Sequence, residues 1–557
     1  MKTVHRRSGR AAALRWVVFG AAALFACGGA AAATGPGTTP SAFAAFADLE
    51  AAGATIGEVR IRVQDIFDTT DPKEDKLLFR WANALHIQTR PSVIERALLF
   101  KSGDKLTVRA LEETERMLRG SRYLYDVQFK VLAVRDNVVD IEVSTRDTWT
   151  LDPGASFGRA GGANSSRFGL KEYNLLGTGI ALGVGRSRNV DRAGTEFTFS
   201  HERAFGTWTS LNLSHASNSD GRRDAAAVVR PFYALDTRWA AGASALRDDR
   251  IDTIYNAGKV VSRYRHDERR AEAFAGWSAG LVDGWARRWS LGVGLQQDRY
   301  AMDPGATPPA ALPQDEKLVA PFVRYELLED RYEREFNRNQ IGRPEFFALG
   351  LRGQIQFGWA SRGLGSTHDA LLYGASVSRG WEPARDQILL ASAQLSGRYV
   401  GGRVSRQRVG LQGRWLVPHH GRWVFYAGAA ADALTNPIVG EVLLLGGEEG
   451  LRGYPLRYQS GNRRALVTVE ERYFSDLFVW RLFRLGAAAF IDVGRAWGGA
   501  EANALNPGWL SDVGLGLRIA NSRVAFNPVV HIDLAFPLHA TPDIKRVQLL
   551  VKTKVSF

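Results

Sequence analysis

From Trp149 to Phe557 apolar and polar residues alternate in segments of about 10 residues, separated by short runs of Gly, Asn, Asp and Ser. Period-2 alternation places every apolar side chain of a strand on one face. A closed barrel with lipid outside and water inside needs that pattern repeated many times over. The last segment is the clearest: Val547, Leu549, Val551, Thr553, Val555 and Phe557 share one face, and Gln548, Lys552, Lys554 and Ser556 the other. The longest hairpin rises from Trp239 to Tyr255, turns at Asn256-Ala257-Gly258 and returns from Lys259 to Gly280. Its polar middle predicts a hairpin that projects into the medium.

Residues 55–148 read differently. Val59, Ile61 and Val63 alternate with Glu58, Arg60 and Arg62, the pattern of a half-buried strand. Ser92 followed by Glu95 reads as a capping box for a helix carrying Val93, Ala97 and Phe100 on one face, up to a stop near Gly103. A second helix is expected over Thr107–Arg119, with Leu111, Thr114 and Leu118 inward and Gly120 as C-cap. Two strands then alternate through Val127, Phe129, Val131 and through Val139, Ile141, Val143, joined at Asp136-Asn137. A small α+β domain is expected.

Residues 1–33 carry Lys2, Arg6, Arg7, Arg10 and Arg15, an apolar run from Trp16 to Ala26 and a string of alanines, which reads as a cleaved export signal. Residues 34–54, rich in Gly, Pro, Thr and Ala, read as a mostly flexible lead-in, within which Phe43–Ala54 is long enough for a short helix. Cys27 is the only cysteine; a lipid anchor there is an open alternative, although Phe25 fits a lipidation signal poorly. No disulfide is expected. After residue 33 no run of 18 apolar residues occurs, which excludes spanning helices and leaves barrel strands untouched.

The net charge of +14, from 72 Lys and Arg against 58 Asp and Glu, sits in loop-like stretches such as Ser219–Asp224 and at strand ends. Anionic lipopolysaccharide or a basic lumen accounts for it better than nucleic acid does. Gly276-Trp277-Ser278-Ala279-Gly280 spells a hydrolase elbow but ends a strand instead of leading into a helix. His201-Glu202 lacks a second histidine four residues on, His419-His420 sits in a short turn, and Gly292-Val293-Gly294 is followed by no crossover helix. The expectation is therefore no enzyme, no metal and no cofactor.

The β-α-α-β-β order of 55–148, with Gly103-Asp104 between its helices and Tyr123-Leu124-Tyr125-Asp126-Val127 leading into the second strand, resembles a polypeptide-transport-associated (POTRA) domain. In the barrel, Gly169–Gly179, containing Asn174, Leu175, Gly177 and Gly179, resembles the turn between early strands of outer-membrane assembly barrels. Gly446–Tyr454, with its tip Leu451-Arg452-Gly453-Tyr454, resembles their in-folded loop, and Phe490-Ile491-Asp492-Val493-Gly494 the inner-wall strand that receives it. A terminal Phe557 preceded by Val555 is similar to their sorting signal. Taken in order, these motifs resemble the superfamily of outer-membrane insertases and two-partner-secretion transporters, over nearly the whole chain after the signal.

Strand parity adds an argument of its own. Leu485, Ala487, Ala489, Ile491 and Val493 form an apolar row, so Phe490, Asp492 and Gly494 point into the lumen. One strand earlier Val467, Val469 and Tyr473 take the outer row, which sends Thr468, Glu470 and Arg472 inward. Arg452 thus has two candidate carboxylate partners, Asp492 and Glu470. Five strands follow the loop, and about fifteen can be marked before it, where the family pattern has eleven. Sixteen strands in all is the expectation adopted, with 20 as its upper bound. The resemblance implies an outer-membrane factor with a periplasmic domain at 55–148 and a barrel at 149–557. Such a factor captures unfolded outer-membrane or secreted clients and inserts or translocates them, alongside lipids, lipopolysaccharide and accessory lipoproteins. The single soluble domain leans toward insertion. The alternative is a non-transporting receptor, anchor or surface antigen.

Overall fold

The structure, a computed structural model, describes residues 43–499, 508–521, 523, 529–542 and 544–554. The export signal, residues 34–42 of the lead-in and the terminal Val555 and Phe557 lie outside the described residues.

The N-terminal unit has one three-stranded sheet, β1 (Thr55–Gln64), β2 (Leu124–Arg135) and β3 (Val138–Asp147), in the order β1-β3-β2. β1 runs parallel to β3, and β2 is antiparallel to it through a turn at Asp136-Asn137 in which both residues have positive φ. Four helices accompany the sheet among the described residues: α1 (Ala44–Ala51), α2 (Leu77–Leu85), α3 (Pro91–Glu95) and α4 (Val108–Arg119). Leu111, Thr114 and Leu118 of α4 are buried, and Leu111 and Leu118 pack with Val127, Phe129, Val139, Ile141 and Val143 in one core.

Three details differ from the sequence reading. Ser92 does not cap α3: the helix begins at Pro91 after Arg90, with no side-chain cap, because proline already fixes the first helical φ. Residues 44–51 form the short helix that Phe43–Ala54 allows, and the segment is not a flexible lead-in, since Phe43 and Phe46 hold it to the core. Between β1 and α3 stands the unforeseen helix α2.

The barrel is closed and antiparallel, each strand paired with its neighbours in the chain. Its first strand is made of Leu151–Asp152 and Ala155–Ala160, both paired with Ala163–Glu172 and interrupted at Pro153, which has no N–H to give. With those two pieces taken as one, the described residues form 20 strands, not sixteen. Fifteen of these strands precede the in-folded loop, which agrees with the count of about fifteen segments there. Tight turns separate them, as at Ala257-Gly258, Asp283-Gly284 and Gly401-Gly402, where paired positive φ values give the mirror-image turns that suit a twisted hairpin. Matching the chain to an eleven-strand template was the error.

Outward positions such as Phe168, Val184, Leu291, Phe357, Leu411, Ile491, Leu515 and Leu549 are exposed around the wall. Water does not tolerate an apolar belt of that extent; lipid requires it. The hairpin Trp239–Asn256 and Lys259–Val282 is the longest, but the inward half of its polar middle does not meet the medium. His266 lies 2.8 Å from Asp252 and 3.1 Å from Asp298, and Arg250 donates to Glu268 at 2.7 Å. His266, Glu268 and Asp298 stand close enough to hold a cation, yet these pairs already occupy them.

The turn 173–179 fastens the domain to the barrel. Asn174 Nδ2 donates to Thr89 Oγ1 at 2.8 Å, Gly179 N donates to Asn174 Oδ1 at 2.6 Å, and Arg90 N donates to the Gly177 carbonyl at 2.9 Å. Gly177 has φ +72°, and a Cβ there would overlap the Gln88 carbonyl oxygen. Gly177→Ala should therefore cost at least about 1–2 kcal/mol at this junction from backbone conformation alone. Limited proteolysis should cut near 86–90 sooner, while the heat-modifiable migration of the barrel stays unchanged; equal cutting rates would refute the junction role.

Candidate functional site: in-folded loop, lumenal hairpin and seam

The chain between the strands Trp423–Thr435 and Arg463–Val479 folds back into the lumen. Its neck is a two-stranded ladder, Leu443–Leu445 against Gln459–Gly461. At the tip Leu451 and Tyr454 are fully buried, packed with Leu445, Ala496 and Leu510. Arg452 makes a two-pronged contact with Asp492, Nε to Oδ2 at 2.6 Å and Nη2 to Oδ1 at 2.9 Å. Its third nitrogen, Nη1, lies 2.9 Å from Glu470, and the guanidinium stands 3.4 Å from the centre of the Phe490 ring. Burial opposes the charge of Arg452, but Asp492, Glu470 and Asp533 outweigh it and hold the guanidinium above its ordinary pKa.

The residues picked from parity thus meet at one point. Gly453 N donates to Asp512 at 3.0 Å, and a Cβ on Gly453 would stand 2.6 Å from the Asp512 Cβ, so only glycine fits. Tyr454 OH donates to the Ser511 carbonyl at 3.0 Å. Gly494 leaves room for Leu445: a Cβ there would come within 3.1 Å of it. Thr468, sent inward by parity, donates its hydroxyl to Asp492 at 2.7 Å, while the sequence reading omits Asp512 and Asp533. Their signal was present, since Asp512 sits directly opposite Asp492 in the next strand.

A second element enters the lumen from the end that carries the N-terminal unit. Between the strands Glu316–Glu329 and Arg352–Ala360 the chain forms the hairpin Tyr332–Phe336 and Pro344–Ala348. Ile341, Phe347 and Leu349 pack against Ile388, Leu416, Val424, Phe474, Ala488, Ala520 and Val529, side chains from seven wall strands. Its tip touches two partners: Arg472 Nη1 donates to the Arg338 carbonyl at 3.2 Å, and Arg343 Nη2 donates to the Tyr125 carbonyl of β2 at 3.0 Å. A polar path therefore runs from Arg452 through Glu470, 2.9 Å from Arg472, to the hairpin and on to the domain. The rest of the lumen holds a cavity of about 1080 Å³ lined by Lys171, Glu196, Arg223, Arg270 and Glu272 among others.

The barrel closes where its last strand, Gln548–Lys554, meets its first. Among the described residues a single pair, Val551 opposite Arg159, is in register there. By contrast, Phe483–Trp497 and Leu510–Asn521 pair without a break from Phe483↔Asn521 to Gly494↔Leu510. The in-folded loop touches both sides of this seam: Lys552 Nζ donates to the Gly447 carbonyl at 3.1 Å, and Leu456 N donates to the Gly161 carbonyl at 3.3 Å. From outside, the long hairpin holds the loop's base, with Gly258 N on the Arg457 carbonyl at 3.1 Å, and Asp191, in the turn between the strands Ile180–Arg188 and Ala193–Ala204, pairs with Arg457 at 2.6 Å.

No family model matches the chain. No curated protein matches it. Among solved structures it is similar to BamA from Haemophilus ducreyi lacking POTRA domains 1-3, at 13% identity and TM-score 0.36, over 89% of this chain and 85% of that one. It is similar to CdiB from Escherichia coli at 14% identity and TM-score 0.47, over 90% and 76%. CdiB from Acinetobacter baumannii gives 12% identity and TM-score 0.40, over 90% and 73%. The functional reading rests on the chain's own geometry.

Proposed function

We propose that the chain is an outer-membrane assembly factor that captures unfolded client proteins on β2 and releases them into the bilayer at the barrel seam. β2 is one edge of its sheet; the other, β1, is met at its start by residues 103–105. The Tyr125 and Val127 carbonyls of β2 already accept from Arg343 and Arg119, so the stretch open to an added strand runs from Phe129 to Arg135. An extended client pairs there by main-chain hydrogen bonds, which require no particular side chain. Folding of the client supplies the driving force; neither nucleotide nor catalysis belongs to this reading.

The observation that carries it is the seam, where among the described residues one pair is in register, beneath a loop that clasps both of its sides. A lumen filled from both ends speaks for exit through that seam and against passage down the axis. The test is a disulfide between positions 159 and 551, which face each other across the seam at the separation of paired antiparallel strands. Arg159→Cys with Val551→Cys should stop the appearance of new barrels in the outer membrane under oxidising conditions and restore it on reduction. Unimpaired client insertion in the oxidised form, with the crosslink complete, would favour secretion through the lumen or a receptor that moves no client.

A further inference from the structure

We propose that α2 is an interfacial anchor that lies in the inner leaflet of the outer membrane beside the barrel. Leu77, Leu78, Trp81, Leu85 and, just beyond the helix, Ile87 are between 53% and 75% exposed. At about 100° per residue the four helical positions fall in one arc, adjoining the side on which Phe79 and Ala82 are packed. Lys76 at the N-cap and Arg80, which pairs with Asp75, flank it on the other side. An apolar face with a basic flank is the pattern of a helix seated at a lipid headgroup boundary, and tryptophan favours that depth.

Its placement selects lipid as the occupant. The Phe79 ring stacks on Phe67 at 4.0 Å, and this cluster packs on Trp149, where the barrel begins, and on Leu482 in the turn between the strands Arg463–Val479 and Phe483–Trp497. Arg523, in the turn after Leu510–Asn521, donates to the Ile66 carbonyl at 3.2 Å and pairs with Glu74. Asn83 and Phe67 exchange hydrogen bonds at 2.8 and 3.1 Å, and His86 lies 2.8 Å from Asp147. The helix is thereby held against the periplasmic rim, at the ends of strands whose outer face is lipid-facing. On that rim Leu477 and Trp480 are also 60% and 71% exposed, so the apolar face continues the barrel's own belt.

The inference rests on the barrel being in a bilayer and not on what the barrel moves. The test uses the full chain with Cys27→Ser, refolded into vesicles of phosphatidylethanolamine and phosphatidylglycerol. A nitroxide is placed at Trp81→Cys, at the lipid-facing barrel position Leu291→Cys and at the exposed domain position Gln128→Cys. The probe at 81 should collide with oxygen in preference to a water-soluble nickel chelate, as at 291 and unlike at 128. Adding Leu77→Asp and Leu85→Asp should abolish that preference while heat-modifiable migration is kept. A probe at 81 that behaves like the one at 128, or that neither reagent reaches because protein covers it, would overturn the anchor. A water-like probe at 291 would overturn the membrane barrel itself, a distinguishable failure.

Discussion

Arg452→Ala should be the most damaging single substitution in the loop, loosening its seat and depleting client barrels from the outer membrane. Removing one member of a buried charge pair costs about 3–5 kcal/mol, because the other is left uncompensated, and lumenal water lowers the figure here. Arg452→Ala strands both Asp492 and Glu470 and uncovers the face of Phe490. Asp492→Ala should cost less, since Arg452 keeps Glu470 at 2.9 Å and Asp533 at 3.8 Å. The double variant should be no worse than Arg452→Ala alone, the second change removing a charge already stranded. Arg452→Lys should keep part of the stability and activity, since it retains the charge but lacks the planar fork that engages both Asp492 oxygens. The readout is a double-mutant cycle on urea unfolding followed by heat-modifiable migration, together with client abundance. Strict additivity would refute the pairing as the source of the effect.

This contact was visible in the sequence because a strand's period is fixed at two. Once Ile491 and Val493 face lipid, Asp492 has nowhere to go but inward, and the same parity orients Glu470. Parity says nothing of how far a loop reaches, so the choice among inward acids was open, and Asp512 and Asp533 were passed over. The hairpin Tyr332–Phe336 and Pro344–Ala348 was hidden for a related reason. Alternation makes a strand legible but does not say whether it pairs in the wall or folds back into the lumen. α2 escaped for the opposite reason: Leu77, Leu78, Trp81 and Leu85 give no buried stripe for a soluble domain, because their outward face has no protein partner among the described residues. The strand number was legible residue by residue and was lost only when a template replaced the count.

Excising residues 332–348 and joining Arg331 to Leu349 with a short Gly-Ser turn should convert a nearly silent barrel into an open pore. The wall should survive, because the flanking strands pair on their own from Phe322↔Gly358 to Leu328↔Arg352. The space vacated holds the apolar contacts of Ile341 and Phe347 with the far wall, and beside it lies a cavity of about 710 Å³ lined by Arg352, Arg379 and Arg414. No ion pair to a carboxylate is formed by those three among the described residues, so the opened pore should prefer anions. Arg343→Ala should act in the same direction but more weakly, since it frees the tip from the Tyr125 carbonyl and leaves the apolar seat intact. Planar-bilayer recordings test this directly: steady current with anion selectivity is expected for the deletion, brief openings for Arg343→Ala, and little current for the parent. Equal conductance of deletion and parent would mean that the in-folded loop alone seals the lumen. In that case the contacts of Arg472 and Arg343 with the hairpin would serve only to hold the domain against the barrel.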